Sequence, residues 1–154
     1  NLDTQGMNTT IDHTGSKGAA WFDGLSETDA SATSYIDLGK EIQIEGDFMV
    51  MFWFKVPNLT TNYLFAADNS NYFRITDGDQ FLFKMGGTNE TIDLESGTDI
   101  GVNQWHHIVC TYESGGDKKI YINGSLDNTI SCSICIYYSY FNLILAASNK
   151  RRAF

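Results

Sequence analysis

Residues 103–125 read NQWHHIVCTYESGGDKKIYINGS, and their reading decides the fold. Trp105 to Tyr112 is apolar and β-branched almost throughout. Glu113 to Asp117 is polar and contains two glycines; Lys118 to Ile122 then returns as a second strand, and Asn123-Gly124 makes the next reversal. A five-residue loop with glycine joins antiparallel neighbours, and Asn-Gly supplies the positive φ that a tight turn requires. The stretch is a β-hairpin followed by a second turn.

Upstream, Asp47 to Val56 (DFMVMFWFKV) carries the strongest strand pattern in the chain. Alternation places Phe48, Val50, Phe52, Phe54 and Val56 on one face, and Met49, Met51, Trp53 and Lys55 on the other. The first set is uniformly apolar and should face a core. The second suits a partly covered sheet face. Pro57 ends the strand, because it has no N–H for the ladder. Shorter strands are expected at Gly18–Asp23, Tyr35–Leu38, Tyr63–Ala67, Tyr72–Thr76, Gln80–Met85, Thr91–Glu95, Leu126–Ile130 and Ile134–Leu145. Asp68–Asn71 and Asp77–Asp79 supply turns between them. With a single proline and no sustained helical stripe, this spacing is that of an all-β sandwich or barrel. Residues 1–17, polar and Thr-rich, read as an arm or linker, and 18–154 as one domain.

Composition narrows the partners. The 154 residues are 42% hydrophobic and 14% aromatic, enough for a real core. A net charge of −9 argues against nucleic acid or an anionic membrane as partner, since either needs a basic face. No run is apolar enough to span a bilayer as a helix. Three cysteines give no disulfide framework. Four N-x-S/T sequons, at Asn8, Asn58, Asn89 and Asn123, are acceptors only in a eukaryotic secretory pathway.

The hairpin itself, W-H-H-I-V-x-T-Y, a short loop, then I-Y-I-N-G, resembles the laminin G-like modules of the concanavalin A-like superfamily. Phe22-Asp23-Gly24, a loop and Tyr35-Ile-Asp-Leu-Gly39 are similar to the opening of such modules. Phe48 to Lys55 is similar to their F-x-[VIL]-x-x-W-[VIF]-K run, and Asn142 to Ala147 to their x-L-x-[IL]-G-A segment. The resemblance covers roughly residues 19–154. It implies an all-β, antiparallel two-sheet β-sandwich with a jelly-roll, concanavalin A-like topology. Family members continue with a final strand, F-x-G-x-[IL]-D-x-[VIL], that does not follow here. The resemblance therefore implies an open sheet edge, completed by a longer polypeptide, a neighbouring domain or another subunit.

Several motifs are weighed for chemistry. The superfamily includes glucanases with Glu-x-Asp-x-Glu on one strand face. In Thr91-Ile-Asp-Leu-Glu95 the second and third carboxylates are present as Asp93 and Glu95, but Thr91 stands where the nucleophile belongs, and Glu90 points to the opposite face. No catalytic residue is assigned, and the chain is read as a non-enzyme. His106 and His107 are adjacent on a strand, face opposite ways and cannot share one ion. Cys132-Ser-Ile-Cys135 lacks the second pair that a zinc site needs. Cys110 is either idle or paired with one of them.

Two ligand sites remain as candidates. Asp68, Asn69, Asp77 and Asp79 lie in neighbouring turns and offer oxygens for Ca²⁺, the one candidate cofactor; none is required. The alternative is that they are ordinary turn residues. Trp53, Tyr72, Arg74 and Tyr121 face away from the expected core and form a candidate platform for a sugar; the alternative is packing under a loop or a neighbouring domain. The leading reading is a non-catalytic recognition or adhesion module that binds a glycan or a protein surface, extracellular or on a particle surface. A structural module of a virion assembly, or a glycoside hydrolase, is the alternative. Fold alone does not choose among them.

Overall fold

The computed structural model describes residues 3–5, 8–22, 35–59, 62–66, 71–85, 93–131 and 138–148. The hairpin forms as its sequence dictates. Strands β10 (His106–Tyr112) and β11 (Asp117–Ile122) pair antiparallel, with Cys110 opposite Ile120 and Val109 opposite Tyr121. Their loop closes as Glu113 N–H donates to Asp117 O at 3.0 Å and Gly116 N–H to Glu113 O at 2.9 Å. Asn123 and Gly124 take φ of 52° and 86°, the geometry for which Asn-Gly is suited, and lead into β12 (Ser125–Ser131). Gly124→Ala puts a β-carbon at that φ, and a loss of about 1 kcal/mol in a denaturant melt is the expected result.

β5 (Phe48–Phe54) lies along the other side of β10, which completes a four-stranded sheet in the order β12-β11-β10-β5. The facing sheet draws on β1 (Asp3–Gln5), β4 (Tyr35–Glu45), β6 (Asn62–Ala66), β7 (Tyr72–Ile75), β8 (Gln80–Lys84), β9 (Asp93–Asp99) and β13 (Tyr138–Ser148). Its order is β1-β4-β13-β6-β7-β8-β9. β2 (Asn8–Ile11) and β3 (Lys17–Trp21) form a separate ribbon. Every pairing among the described residues is antiparallel. The expected all-β two-sheet sandwich is what forms, and no helix occurs among the described residues.

Three expectations need correction. The polar lead-in at 1–17 contains strand: β1 pairs with β4 and β2 with β3, because Thr-rich extended segments suit a ladder even without an apolar face. β4 does not close at Gly39 but runs through it to Glu45, where it pairs with Tyr138 of β13. β13 (Tyr138–Ser148) does not end at Leu145 but runs on to Ser148; residues 132–137, where the sequence reading starts this strand, lie outside the described residues.

The core lies between the sheets. Phe73, Ile75, Phe81 and Phe83 from the large sheet meet Phe54, Ile108, Cys110, Ile120 and Ile122 from the small one. Phe73 stacks on Phe83 at 5.2 Å, and Phe81 lies 6.1 Å from both Phe52 and Phe73. Ser96 is buried among them without cost, since its hydroxyl accepts from Phe81 N–H at 2.9 Å and donates to Thr98 O at 2.8 Å. Along one side the sheets are stitched together. Gly97 N–H donates to the Asp127 carboxylate at 2.6 Å, and the Asn128 amide to Glu95 O at 2.8 Å, joining β9 to β12. The other side is thinner. All four inward residues of β10, His106, Ile108, Cys110 and Tyr112, are buried, whereas Phe48, Val50 and Phe52 of β5 are half-buried and only Phe54 is fully covered. Among the described residues β5 has one strand partner, β10.

Candidate recognition face

The outward face of the small sheet is set by register. Trp53 stands opposite His107, Met51 opposite Val109, and Val109 opposite Tyr121, which in turn faces Leu126. Alternation that turns Phe48, Val50, Phe52 and Phe54 inward must turn Met49, Met51 and Trp53 outward. Met49 is 57% exposed, Met51 55%, Trp53 44% and Leu126 54%, so an apolar band crosses this sheet from edge to edge. Scattered apolar residues on a surface are ordinary; a contiguous row of them marks a contact surface.

Trp53 is not a free platform. The β2–β3 turn brings His13 parallel to the indole, with ring centroids 4.2 Å apart and an interplanar angle of 6°. Trp105 stands edge-on to His13 at 6.4 Å, and His107 lies 4.9 Å from Trp53. The turn that carries His13 is built by Asp12, whose carboxylate accepts from Thr14 N–H at 2.8 Å, Thr14 Oγ1 at 2.6 Å and Ser16 N–H at 3.1 Å. These bonds, that of the Thr14 hydroxyl first, hold its pKa below the ordinary carboxylate range. His13, which has no evident partner in the sequence, is therefore part of this face.

Tyr72 and Arg74 lie elsewhere. On β7, Phe73 and Ile75 point inward, so Tyr72 and Arg74 point out from the large sheet, on the opposite side of the sandwich from Trp53 and Tyr121. The structure thus places Trp53 and Tyr121 on one face, in different rows of the small sheet, and brings Arg74 onto the Tyr72 ring on the other, but does not unite the two pairs. Tyr72 is buried against Tyr63 and Leu82.

The remaining candidates separate cleanly. Asp77 and Asp79 sit in the β7–β8 turn, with Asp79 at φ 66° and its carbonyl accepting from Ile100 N–H at 2.6 Å. Asp68 and Asn69 lie outside the described residues, and among those described no three acidic, histidine or cysteine side chains gather as metal ligands. Asp93 and Glu95 share the outward face of β9, with Asp93 in an ion pair with Lys84 at 3.1 Å; Thr91 and Glu90 lie outside the described residues. His106 and His107 face opposite ways. His106 is buried with Nε2 2.9 Å from Gly101 O, and since a carbonyl only accepts, Nε2 carries the hydrogen; Nδ1 is buried without a partner. Cys110 is a free thiol whose burial pushes its pKa well up, which keeps it unreactive; Cys132 and Cys135 lie outside the described residues.

The fold has many solved relatives. The binding domain of Paraclostridial Mosquitocidal Protein 1 matches 98% of this chain and 40% of its own, at 18% identity and a TM-score of 0.74. The ligand-binding domain of botulinum neurotoxin serotype D, in complex with N-acetylneuraminic acid, matches 76% of this chain and 32% of its own, at 16% identity and a TM-score of 0.55. The binding domain of botulinum neurotoxin DC, in complex with rat synaptotagmin II, matches 79% and 37%, at 21% identity and a TM-score of 0.53. The chain thus spans less than half the length of these solved domains, and at such identities the likeness is one of fold. No curated protein matches the chain. A family model for the concanavalin A-like lectin/glucanases superfamily matches residues 29–154, which is most of the chain. The chain belongs to the concanavalin A-like lectin/glucanase superfamily, as a laminin G-like module.

Proposed function

We propose that this chain is a non-catalytic recognition module that engages a protein surface through the outer face of its small sheet, outside the cell or on a particle surface. The observation that carries the reading is the band Met49, Met51, Trp53, Val109, Tyr121 and Leu126, aligned by register and left open. Methionine and aromatic side chains are the residues enriched at protein contacts: methionine adapts to an irregular partner, and tryptophan supplies a large rigid area. His13 already covers one ring face of Trp53, which favours an apolar partner on the band over a sugar stacked on the indole. The fold relatives crystallised with a sugar acid and with a protein are both binding domains, which supports a recognition role without choosing the ligand.

The test uses labelled module on cells in flow cytometry. Met51→Asp puts a charge at the centre of the band, at an exposed position where folding is little affected. At least a tenfold loss of cell binding is expected, with the melting temperature unchanged. Trypsin treatment of the cells should abolish binding and sialidase treatment should not. A Met51→Asp variant that binds like the parent chain would overturn the assignment of this face.

A further inference from the structure

The small sheet ends differently on its two sides. At β12 the side chains of Asp127 and Asn128 bond to Gly97 N–H and Glu95 O, so that end is tied to the other sheet. At β5 the ladder to β10 occupies one side, and among the described residues no strand lies on the other. In an antiparallel ladder alternate residues turn their N–H and C=O to the partner, and the rest turn theirs to the opposite edge. The inward side chains of Val50 and Phe52 are half-buried at this edge, whereas Ile108 and Cys110 of β10 have no exposed surface.

Read outward from Met51, the strand is nearly symmetrical. Val50 and Phe52 flank it, then Met49 and Trp53, then Phe48 and Phe54. Immediately outside stand two charges of opposite sign, Asp47 and Lys55, both exposed. Lys55 is in neither of the ion pairs found among the described residues, Lys84–Asp93 and Lys119–Asp117. Asp47 is held in place by Ser114 N–H, which donates to its carboxylate at 2.8 Å.

This pattern fits itself. An antiparallel copy related by a two-fold axis at Met51 sets Met51 opposite Met51, Val50 opposite Phe52, Met49 opposite Trp53 and Phe48 opposite Phe54. It also sets Asp47 opposite Lys55 at both ends. Opposed side chains share a face, so apolar meets apolar inside and the charges pair outside. A slip that keeps inward side chains inward places Asp47 against Pro57 in one direction and Trp53 in the other, and both ion pairs are lost. Pairs at such a rim contribute little energy but fix register. The stabilisation comes from covering Val50 and Phe52 and from satisfying the edge.

We infer that the outer edge of β5 is a homodimer interface, at which two copies join their small sheets antiparallel about a two-fold axis at Met51. The contact uses the same strand from each copy and closes at two, since β12 at the far end is covered. In the single copy β5 is the loosest strand of the sheet; pairing seals it. The inference does not rest on what the apolar band binds.

The experiment is sedimentation velocity of the intact chain in reductant over a concentration series. Wild type is expected to reach twice the mass of one chain as concentration rises, with the β5 amides gaining protection from exchange in step. Lys55→Glu places like charges opposite each other twice per dimer and should weaken the dimer at least tenfold, with the melting temperature unchanged. Asp47→Lys combined with Lys55→Glu restores both pairs and should return the affinity to within about threefold of wild type. Met51→Cys should form a disulfide between copies on oxidation, because directly opposed residues have Cα atoms about 5 Å apart. Met49→Cys, displaced about 13 Å from its mate, should not. Should the double variant fold poorly for want of the Ser114 bond, Lys55→Glu and the two cysteine variants still decide. Because Lys55→Glu leaves the band intact, it also serves as the dimer-free control for cell binding. A wild type that stays monomeric at every concentration, a dimer that Lys55→Glu does not weaken, or cross-linking at Met49→Cys in place of Met51→Cys, would each overturn the proposal.

Discussion

Replacing Lys118 by methionine should stabilise the protein at neutral pH by about 2 kcal/mol. Lys118 is fully buried. Its ammonium donates to Met85 O and lies 5.5 Å from the Phe83 ring and 5.9 Å from that of Tyr112. Burial lowers its pKa from 10.5 to about 8; Asp93 pulls it back up and Lys84 pushes it further down. A drop of about two and a half units corresponds to about 3 kcal/mol against the charged folded form. Loss of the bond to Met85 O returns about 1 kcal/mol of that gain. The pH dependence has a definite sign. Below pH 8 both states hold the proton and the penalty is complete. Between about 8 and 10.5 the unfolded chain binds more protons than the folded one, so stability rises with pH. Urea melts at pH 7 and pH 10 should show the gap between Lys118→Met and wild type closing as pH rises. A gap that stays constant, or a destabilised variant at pH 7, would contradict this account.

Phe81→Ala should cost about 4 kcal/mol, a large share of the roughly 5–15 kcal/mol that holds a domain of this size together. Phe81 has no exposed surface and its ring lies 6.1 Å from those of Phe52 and Phe73 and 6.4 Å from that of Phe54. It is where the two sheets touch, so alanine leaves a cavity that neither ladder can close without breaking register. Chemical denaturation should show the midpoint falling with the slope unchanged. A loss below about 1 kcal/mol would mean that the sheets collapse onto the gap, and that the core is softer than its packing indicates.

Much of this was legible before the structure. Alternation in Phe48–Phe54 and in His106–Tyr112 assigns inward and outward faces correctly, because a period of two admits one choice once a face is buried. Asn123-Gly124 names its own turn. Lys118 was also legible: if Ile120 and Ile122 face inward, so must the residue two before them, yet lysine is habitually assigned to solvent. What local patterns cannot supply is the meeting of distant segments. Nothing near His13 says that it will lie on Trp53, forty positions away, and nothing in β7 says that Arg74 will meet the ring of Tyr63. The grouping of Trp53, Tyr72, Arg74 and Tyr121 on one platform rests on a shared outward orientation, and a sandwich has two outsides.

The uneven burial of the small sheet bears on how the molecule comes apart. Opening does not begin everywhere at once; it begins where least apolar area is lost. Here that is β5, with three of its inward residues only half-buried, whereas β10 and β11 are sealed by neighbours on both sides. Amide exchange should therefore be graded across the sheet, fastest at β5 and slowest at β10. The strand that lifts first, FMVMFWF, carries no charge and no proline, the usual guards against strand-to-strand association. The transient state is thus stickier than the native one, and concentration will set the shelf life of this protein as much as temperature does.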